Sequence, residues 1–284
     1  MSGSAPRTTI GRGARRPTPL VRRASAGPVA GRVLAGLVLV AAAAALYGMT
    51  ASPAFRLRED GVIVRGADFT GDAAILSAIG LDGDARPNLF ALDTARLAAN
   101  LLSLPAVDSD RPDAASVRVA LPDRLVVEVQ ERVPILIWLV GERRLLVDAH
   151  GVVVSELADE ATSELPVIED ERPSSTELAV GSRIGVTDLE VARRIAALTP
   201  AFLGSAAEAL ETRITDKDGF VLRARPTDWR AVFGIYAPTL RGPELIETQA
   251  QCLSSVLYGQ EARISVVYLF PDGGRCGTFL PRTE

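Results

Sequence analysis

The chain has 284 residues and a mass of 30.0 kDa, large for one compact domain, so two folded units with extra segments are expected. Apolar residues make up 48 %, aromatics only 5 %, with one histidine and two cysteines; this leaves ample core and argues against a histidine-rich metal centre, a zinc ribbon or an aromatic platform for single-stranded nucleic acid. The net charge of −4 hides a division: nine arginines and no acidic residue precede Glu59, so the rest holds 22 of the 31 basic residues against all 35 acidic ones, a net of −13 that excludes a nucleic-acid binder.

Residues 1–32, rich in Pro, Gly, Ser and Arg, have little to bury and are expected to form a disordered basic tail. Residues 33–55 carry no charge, and at 1.5 Å per residue such a run crosses a hydrocarbon core of roughly 30 Å, so a transmembrane helix is expected there. Arg7, Arg12, Arg15, Arg16, Arg22, Arg23 and Arg32 precede it, which by the positive-inside rule keeps the N-terminus cytoplasmic and sends the remainder outside. Tyr47 takes the position of an interfacial aromatic. A cleaved secretory signal is the rival reading, opposed by the length of the basic lead and the lack of a small-residue cleavage site before Phe55. The tail's basic charge sets topology, with a cytoplasmic partner or anionic lipid as a second role.

Residues 62–65 alternate as a short strand before a turn at Gly66, and residues 73–79 have helical spacing up to Gly80. Asp93 is placed to cap a second helix with Leu97, Leu101 and Leu104 on one face and Pro105 as its stop. In residues 116–121, Val117, Val119 and Leu121 face inward; after a turn at Pro122-Asp123, Leu125, Val127 and Val129 form the inward face of a second hairpin strand. The order strand–helix–helix–strand–strand defines an α+β unit over residues 56–131.

Residues 132–284 read as a mixed α/β domain. Residues 135–140 form an apolar strand, and 145–148 and 152–154 a hairpin around His150-Gly151. Residues 171–176 are a polar, Pro-containing loop; Thr187-Asp188-Leu189-Glu190 has the form of a capping box opening a helix with Leu189, Ala192 and Ile195 inward. Strands follow at 220–225 and 231–233; Pro243 opens a helix with Leu245, Ile246, Gln249, Cys252, Leu253 and Val256 on one face; residues 264–270 are a strong β run. A turn at Pro271-Asp272-Gly273-Gly274 leads to a short last strand at 275–279, expected to be an open sheet edge that a partner strand can extend.

Leu121-Pro122-Asp123, Leu125-Val126-Val127-Glu128-Val129, Glu131-Arg132-x-Pro134, Trp138 and Leu146-Val147-Asp148-x-x-Gly151 resemble, in order and spacing, the bacterial cell-division family FtsQ/DivIB. Val64-x-Gly66, Asn88-Leu89-Phe90-x-Leu92-Asp93 and Leu104-Pro105-x-Val107 resemble the family's POTRA module, and the run from Ala262 through Tyr268 to Gly277-Thr278-Phe279 resembles the final strands of its second domain. Two departures stand out: residues 110–115 look like an insertion that lengthens the second POTRA hairpin, and the lysine common after the Phe-Gly step is replaced, with Arg241 its nearest substitute. The resemblance implies a single-pass scaffold of the divisome in the plasma membrane at the division septum, with no enzymatic activity and no cofactor. It implies binding of FtsB- and FtsL-like proteins, control of septal peptidoglycan synthesis, and POTRA contacts with other septal proteins. The partner site it implies comprises Arg275, Cys276, Gly277, Thr278 and Phe279, with Tyr268 on the preceding strand.

A catalytic reading finds little support. His150 is the one histidine and sits in a loop beside Asp148, where neighbours two apart are expected to diverge; no Gly-x-Ser-x-Gly elbow exists, and paired carboxylates arise by chance in so acidic a chain. Cys252 and Cys276 are either a disulfide, which the exported compartment permits, or a small buried side chain and a separate thiol. The alternatives are a POTRA-containing envelope transport or assembly component and an anchored envelope hydrolase; the first usually needs a β-barrel or repeated POTRA units, the second a convergent site that a single histidine makes hard to build.

Overall fold

The structure, a computed structural model, describes residues 28–83, 85–158, 162–270 and 276–283. Helix α1, Pro28–Ala51, is a unit by itself, and the residues from Ser52 onward form a second. Within α1 the stretch Gly31–Ala51 has 21 residues, about 31 Å at 1.5 Å each, and is the one helix among the described residues long and apolar enough to cross a membrane. Thr50 closes its last turn, Oγ1 donating to the carbonyls of Leu46 and Tyr47 at 3.2 and 3.0 Å. The helix ends four residues before the expected boundary at Phe55. Pro53 has no N–H to continue it, and Ser52 instead caps a single 3-10 turn, Pro53–Phe55, by accepting from the Ala54 N–H.

A three-stranded module follows. It comprises β1 Val62–Arg65, α2 Asp72–Ala78, α3 Thr94–Leu101, β2 Ala115–Ala120 and β3 Arg124–Val129, with sheet order β1-β3-β2. Strand β3 is central, parallel to β1 and antiparallel to β2. Its alternate residues Leu125, Val127 and Val129 are buried against Ile75 of α2 and Leu101 of α3, the period-2 pattern of a half-covered sheet. Asp93 does cap α3, accepting from Arg96 N–H at 3.0 Å. Leu121 is 57 % exposed rather than inward, because β2 ends at Ala120 and Leu121 already belongs to the turn. Nor does the extra length at 110–115 extend the hairpin: β2 and β3 pair six residues with six, and the segment before Ala115 is a turn. The Glu131 carboxylate accepts from the backbone N–H groups of Asp68, Phe69 and Thr70, each at 2.7 Å, and so fastens the loop after β1 to the end of β3.

The second sheet has nine strands: β4 Pro134–Val140, β5 Arg143–Asp148, β6 Val153–Leu157, β7 Val167–Asp170, β8 Ala209–Thr215, β9 Gly219–Arg225, β10 Arg230–Gly234, β11 Ile264–Leu269 and β12 Gly277–Pro281. Their order is β12-β11-β10-β9-β8-β7-β4-β5-β6, with parallel pairs at β4/β7, β7/β8 and β10/β11. Helices α4 Val186–Ala196, α5 Pro200–Leu203 and α6 Leu245–Leu257 pack Leu189, Ile195, Leu203, Ile246 and Leu253 against one face, over Trp138, Ile168, Phe220 and Leu222. The other face carries cross-strand charge pairs, among them Arg213 with Glu169 and Glu171 at 3.0 and 2.8 Å, and a small apolar cluster of Val221, Val232 and Val266.

Strands β7 and β8 escape the sequence reading, since Val-Ile-Glu-Asp and Ala-Leu-Glu-Thr-Arg-Ile-Thr carry few apolar residues and no clean alternation; β7 lies between β4 and β8, while β8 also forms a hairpin with β9. The capping box is also corrected. Helix α4 starts at Val186 with Gly185 at its N-cap and no side-chain cap bond; Asp188 pairs instead with Arg172 at 2.8 Å, and Glu190 with Arg194. The 171–176 loop holds a 3-10 turn, Pro173–Glu177.

Candidate partner-binding edge

Strand β12 is the last strand of the nine-stranded sheet, and among the described residues nothing pairs with its outer side. An edge of this kind presents backbone N–H and C=O groups without strand partners. Its inner side pairs antiparallel with β11: Leu269 lies opposite Gly277, Tyr268 opposite Thr278, Val267 opposite Phe279 and Val266 opposite Leu280, with a bulge between Ile264 and Val266. Residues directly opposite share a face. Phe279 therefore lies on the helix-covered face beside the buried Val267, while Tyr268, Thr278 and Leu280 lie on the charge-paired face next to Val266. Tyr268, Phe279 and Leu280 are 37 %, 44 % and 51 % exposed, so the edge offers apolar surface on both sides of the sheet.

The start of β12 is held in place. Cys276 and Cys252 of α6 are joined in a disulfide with Cα atoms 4.8 Å apart. Gly277 has φ +139°, and a Cβ there would collide with the Tyr268 carbonyl oxygen, so no other residue fits where the chain turns into the edge. Gln249 of α6, 2 % exposed, donates to the carbonyls of Phe233 at 3.3 Å and Phe270 at 3.1 Å and accepts from the Tyr236 hydroxyl. The ends of β10 and β11 are thus tied to one helix. Burial pushes the Tyr236 phenol up, which keeps it a neutral donor. Arg241 donates to the Phe233 carbonyl and lies 5.4 Å from the Tyr236 ring centre, so its guanidinium serves the Phe233-Gly234 step.

Of the residues expected at the site, Cys276, Gly277, Thr278, Phe279 and Tyr268 come together; Arg275 and the turn at 271–274 lie outside the described residues. The strand runs two residues further than expected, and Leu280 is the residue the reading missed; the continued apolar run Phe279-Leu280 before Pro281 was its signal. His150 does not diverge from Asp148. Its Nδ1 lies 3.6 Å from Asp148 Oδ2 and 3.9 Å from Asp110 Oδ2, because the Asp148 carboxylate turns back to accept from the His150 and Val152 N–H groups. Among the described residues no group of three or more His, Cys, Asp or Glu side chains is arranged to hold a metal ion.

A helix long and apolar enough to cross a membrane, a βααββ module and a sheet with an open terminal edge place the chain in the class of POTRA-bearing proteins with a candidate membrane span. Residues 58–132 match the family described as POTRA domain, FtsQ-type. The chain is 30 % identical over 174 residues to the cell division protein FtsQ of Chloroflexus aurantiacus, covering 61 % of this chain and 60 % of that protein. It is 29 % identical over 183 residues to FtsQ of Chloroflexus aggregans, covering 64 % and 63 %, and 33 % identical to FtsQ of Koribacter versatilis, covering 58 % and 48 %. The chain is thus a relative of the FtsQ proteins with an FtsQ-type POTRA domain, and it spans about three fifths of the length of the first relatives it matches.

Proposed function

We propose that this protein is a single-pass scaffold of the bacterial divisome, acting at the septum by holding other proteins rather than by catalysis. The basic residues before α1 stay in the cytoplasm and both folded modules lie outside it. The folded part comprises a POTRA domain over 56–131 and a second domain over 132–284. The edge at β12 receives a strand from an FtsB-like protein, through which an FtsL-like protein and septal peptidoglycan synthesis are influenced, while the POTRA domain contacts other septal proteins. The observation that carries the reading is the unpaired outer side of β12, flanked by the exposed side chains of Tyr268, Phe279 and Leu280. Main-chain pairing supplies affinity in strand addition, and alternate side chains select the partner.

The test is capture of an FtsB-like protein by the full chain in detergent. Phe279→Asp is expected to lower capture at least tenfold, since it puts a charge on one flank of the added strand while the disulfide and β11 pairing still hold β12. Undiminished capture by a variant with unchanged circular dichroism moves the site elsewhere. Loss of outer-membrane proteins on depletion, in place of filamentous undivided cells, favours the transport or assembly alternative.

A further inference from the structure

The first residues after α1 form a feature that strand addition does not use. Ser52, Pro53, Ala54 and Phe55 do not run free: Arg56 bridges antiparallel to Asn88, and the Leu57 N–H donates to the Pro87 carbonyl at 2.9 Å. Leu57 and Leu89, 4 % and 2 % exposed, pin this strap into the POTRA core. Above them Phe55 and Phe90 meet edge to face, ring centres 5.0 Å apart at 75°. Phe90 is 44 % exposed, and Pro53, Ala54 and Ala91 around it are exposed too. The Asn88 side chain fixes the Phe90 turn by accepting its N–H at 2.9 Å. A soluble module would gain by burying this aromatic pair, yet Phe55 is only half-buried and Phe90 is exposed.

We propose that Phe55 and Phe90 form an aromatic foot that rests in the lipid headgroup layer. The covalent tether keeps the foot within reach of lipid, which is why lipid is the occupant proposed. Phe55 follows Ala51, the last residue of the apolar stretch, by four residues, a reach of at most about 14 Å of extended chain. The headgroup layer on one side of the bilayer is itself about 5–7 Å deep. Aromatic rings favour that layer, where an apolar body meets polar surroundings. Arg56 and Arg58, both exposed next to the foot, suit lipid phosphates. The inference rests on α1 crossing the membrane but holds for either orientation.

The experiment places the full chain, its native cysteines oxidised, in nanodiscs of phosphatidylcholine with phosphatidylglycerol and carries a nitroxide on Ala91→Cys. Collision with a water-soluble nickel chelate is expected to fall at least fivefold relative to a label on Val186→Cys, a site 78 % exposed on the other module. Adding Phe90→Asp to Ala91→Cys is expected to restore the collision rate. A label at Ala91 as accessible as one at Val186, or protection that survives Phe90→Asp, overturns the foot. A third label, on Leu39→Cys within α1, separates the failures: exposed to the chelate, it overturns the span and the foot together; protected beside a wet Ala91, it overturns the foot alone.

Discussion

Both buried tryptophans donate to a carboxylate. Trp138 Nε1 gives a hydrogen bond to Asp170 at 3.0 Å, and Trp229 Nε1 to Glu261 at 2.6 Å. Asp170, 2 % exposed, also accepts from Ser175 Oγ at 2.5 Å and from Arg172 at 2.9 and 2.8 Å; Glu261 accepts from Ser205 Oγ and the Ala206 N–H. Burial alone would raise both acids. For Asp170 the donors Arg172 and Ser175 outweigh it, for Glu261 the Ala206 N–H with Ser205 and Trp229, and both carboxyls are held below the usual carboxylate range. A depressed folded value gives stability that is full above the unfolded value of about 4 and is lost as pH falls through the lower folded values. Asp170→Asn is therefore expected to cost about 1–3 kcal/mol at neutral pH, since it removes the charge on which the Trp138, Ser175 and Arg172 donors converge while Arg172 keeps Asp188, and to flatten the acid limb of the stability curve. Denaturant unfolding followed by tryptophan fluorescence between pH 6 and pH 2 measures both; an acid limb as steep as the unmutated protein's would acquit Asp170. Sequence reasoning had no route to this pair, because Arg172 and Ser175 sit in a segment that reads only as polar loop.

At the scale of elements, β12 is a short strand whose residues are exposed save for Gly277. It depends on β11 along one side and on the Cys252–Cys276 link at its start. The closed loop has a sequence separation of 24, for which the chain-entropy argument gives roughly 3 kcal/mol. Reduction is expected to lower overall stability by up to that amount and to raise amide exchange first in β12, which has the least buried surface to hold it. Non-reducing electrophoresis checks the link directly: oxidised protein should shift on reduction, and two freely alkylatable cysteines in protein purified under oxidising conditions would remove this support for the edge. Alternation made β9 legible and a continuous β run made β11 so, but β7 and β8 follow from neither periodicity nor turn residues. Strand β7 has parallel partners on both sides, and β8 joins parallel β7 to its antiparallel neighbour β9, so pairing rather than local pattern makes them strands.

Within the folded part from Ser52, a buried arginine ties the two sheets together. Arg132, 6 % exposed, donates to Asp148 at 2.8 Å, Asp110 at 3.2 Å and Ser109 at 3.0 Å. Asp148 ends β5 of the large sheet; Ser109 and Asp110 lie in the turn before β2 of the small one. Asp110, in the segment expected to be an insertion, and Ser109 just before it thus supply partners to the junction. Burial works against the guanidinium charge, but Asp148 and Asp110 outweigh it and raise its pKa. Arg132→Ala is expected to cost about 3 kcal/mol, because it strands the Asp148 carboxylate, 4 % exposed, in the interior. Asp110→Asn, at a carboxylate 56 % exposed, should cost under about 1 kcal/mol. Thermal unfolding ranks the two, and limited proteolysis near residue 132 reports whether the modules part. Equal losses from the two variants would refute the junction as described.

The amino-acid order alone determined the apolar span, the βααββ module and the strands with strict alternation, because those depend on neighbours within a few residues: a charge-free run, a capping Asp93, an inward face at Leu125, Val127 and Val129. It also carried the resemblance to FtsQ/DivIB. What only the tertiary structure decided are the nine-strand order, the joining of Cys252 to Cys276, the reach of the edge to Leu280 and the convergence of Asp110, Asp148 and His150 around Arg132. Each of these needs groups far apart in the chain to meet. Such meetings are fixed by which buried surfaces and charges can be satisfied together in three dimensions, and local periodicity carries no record of them.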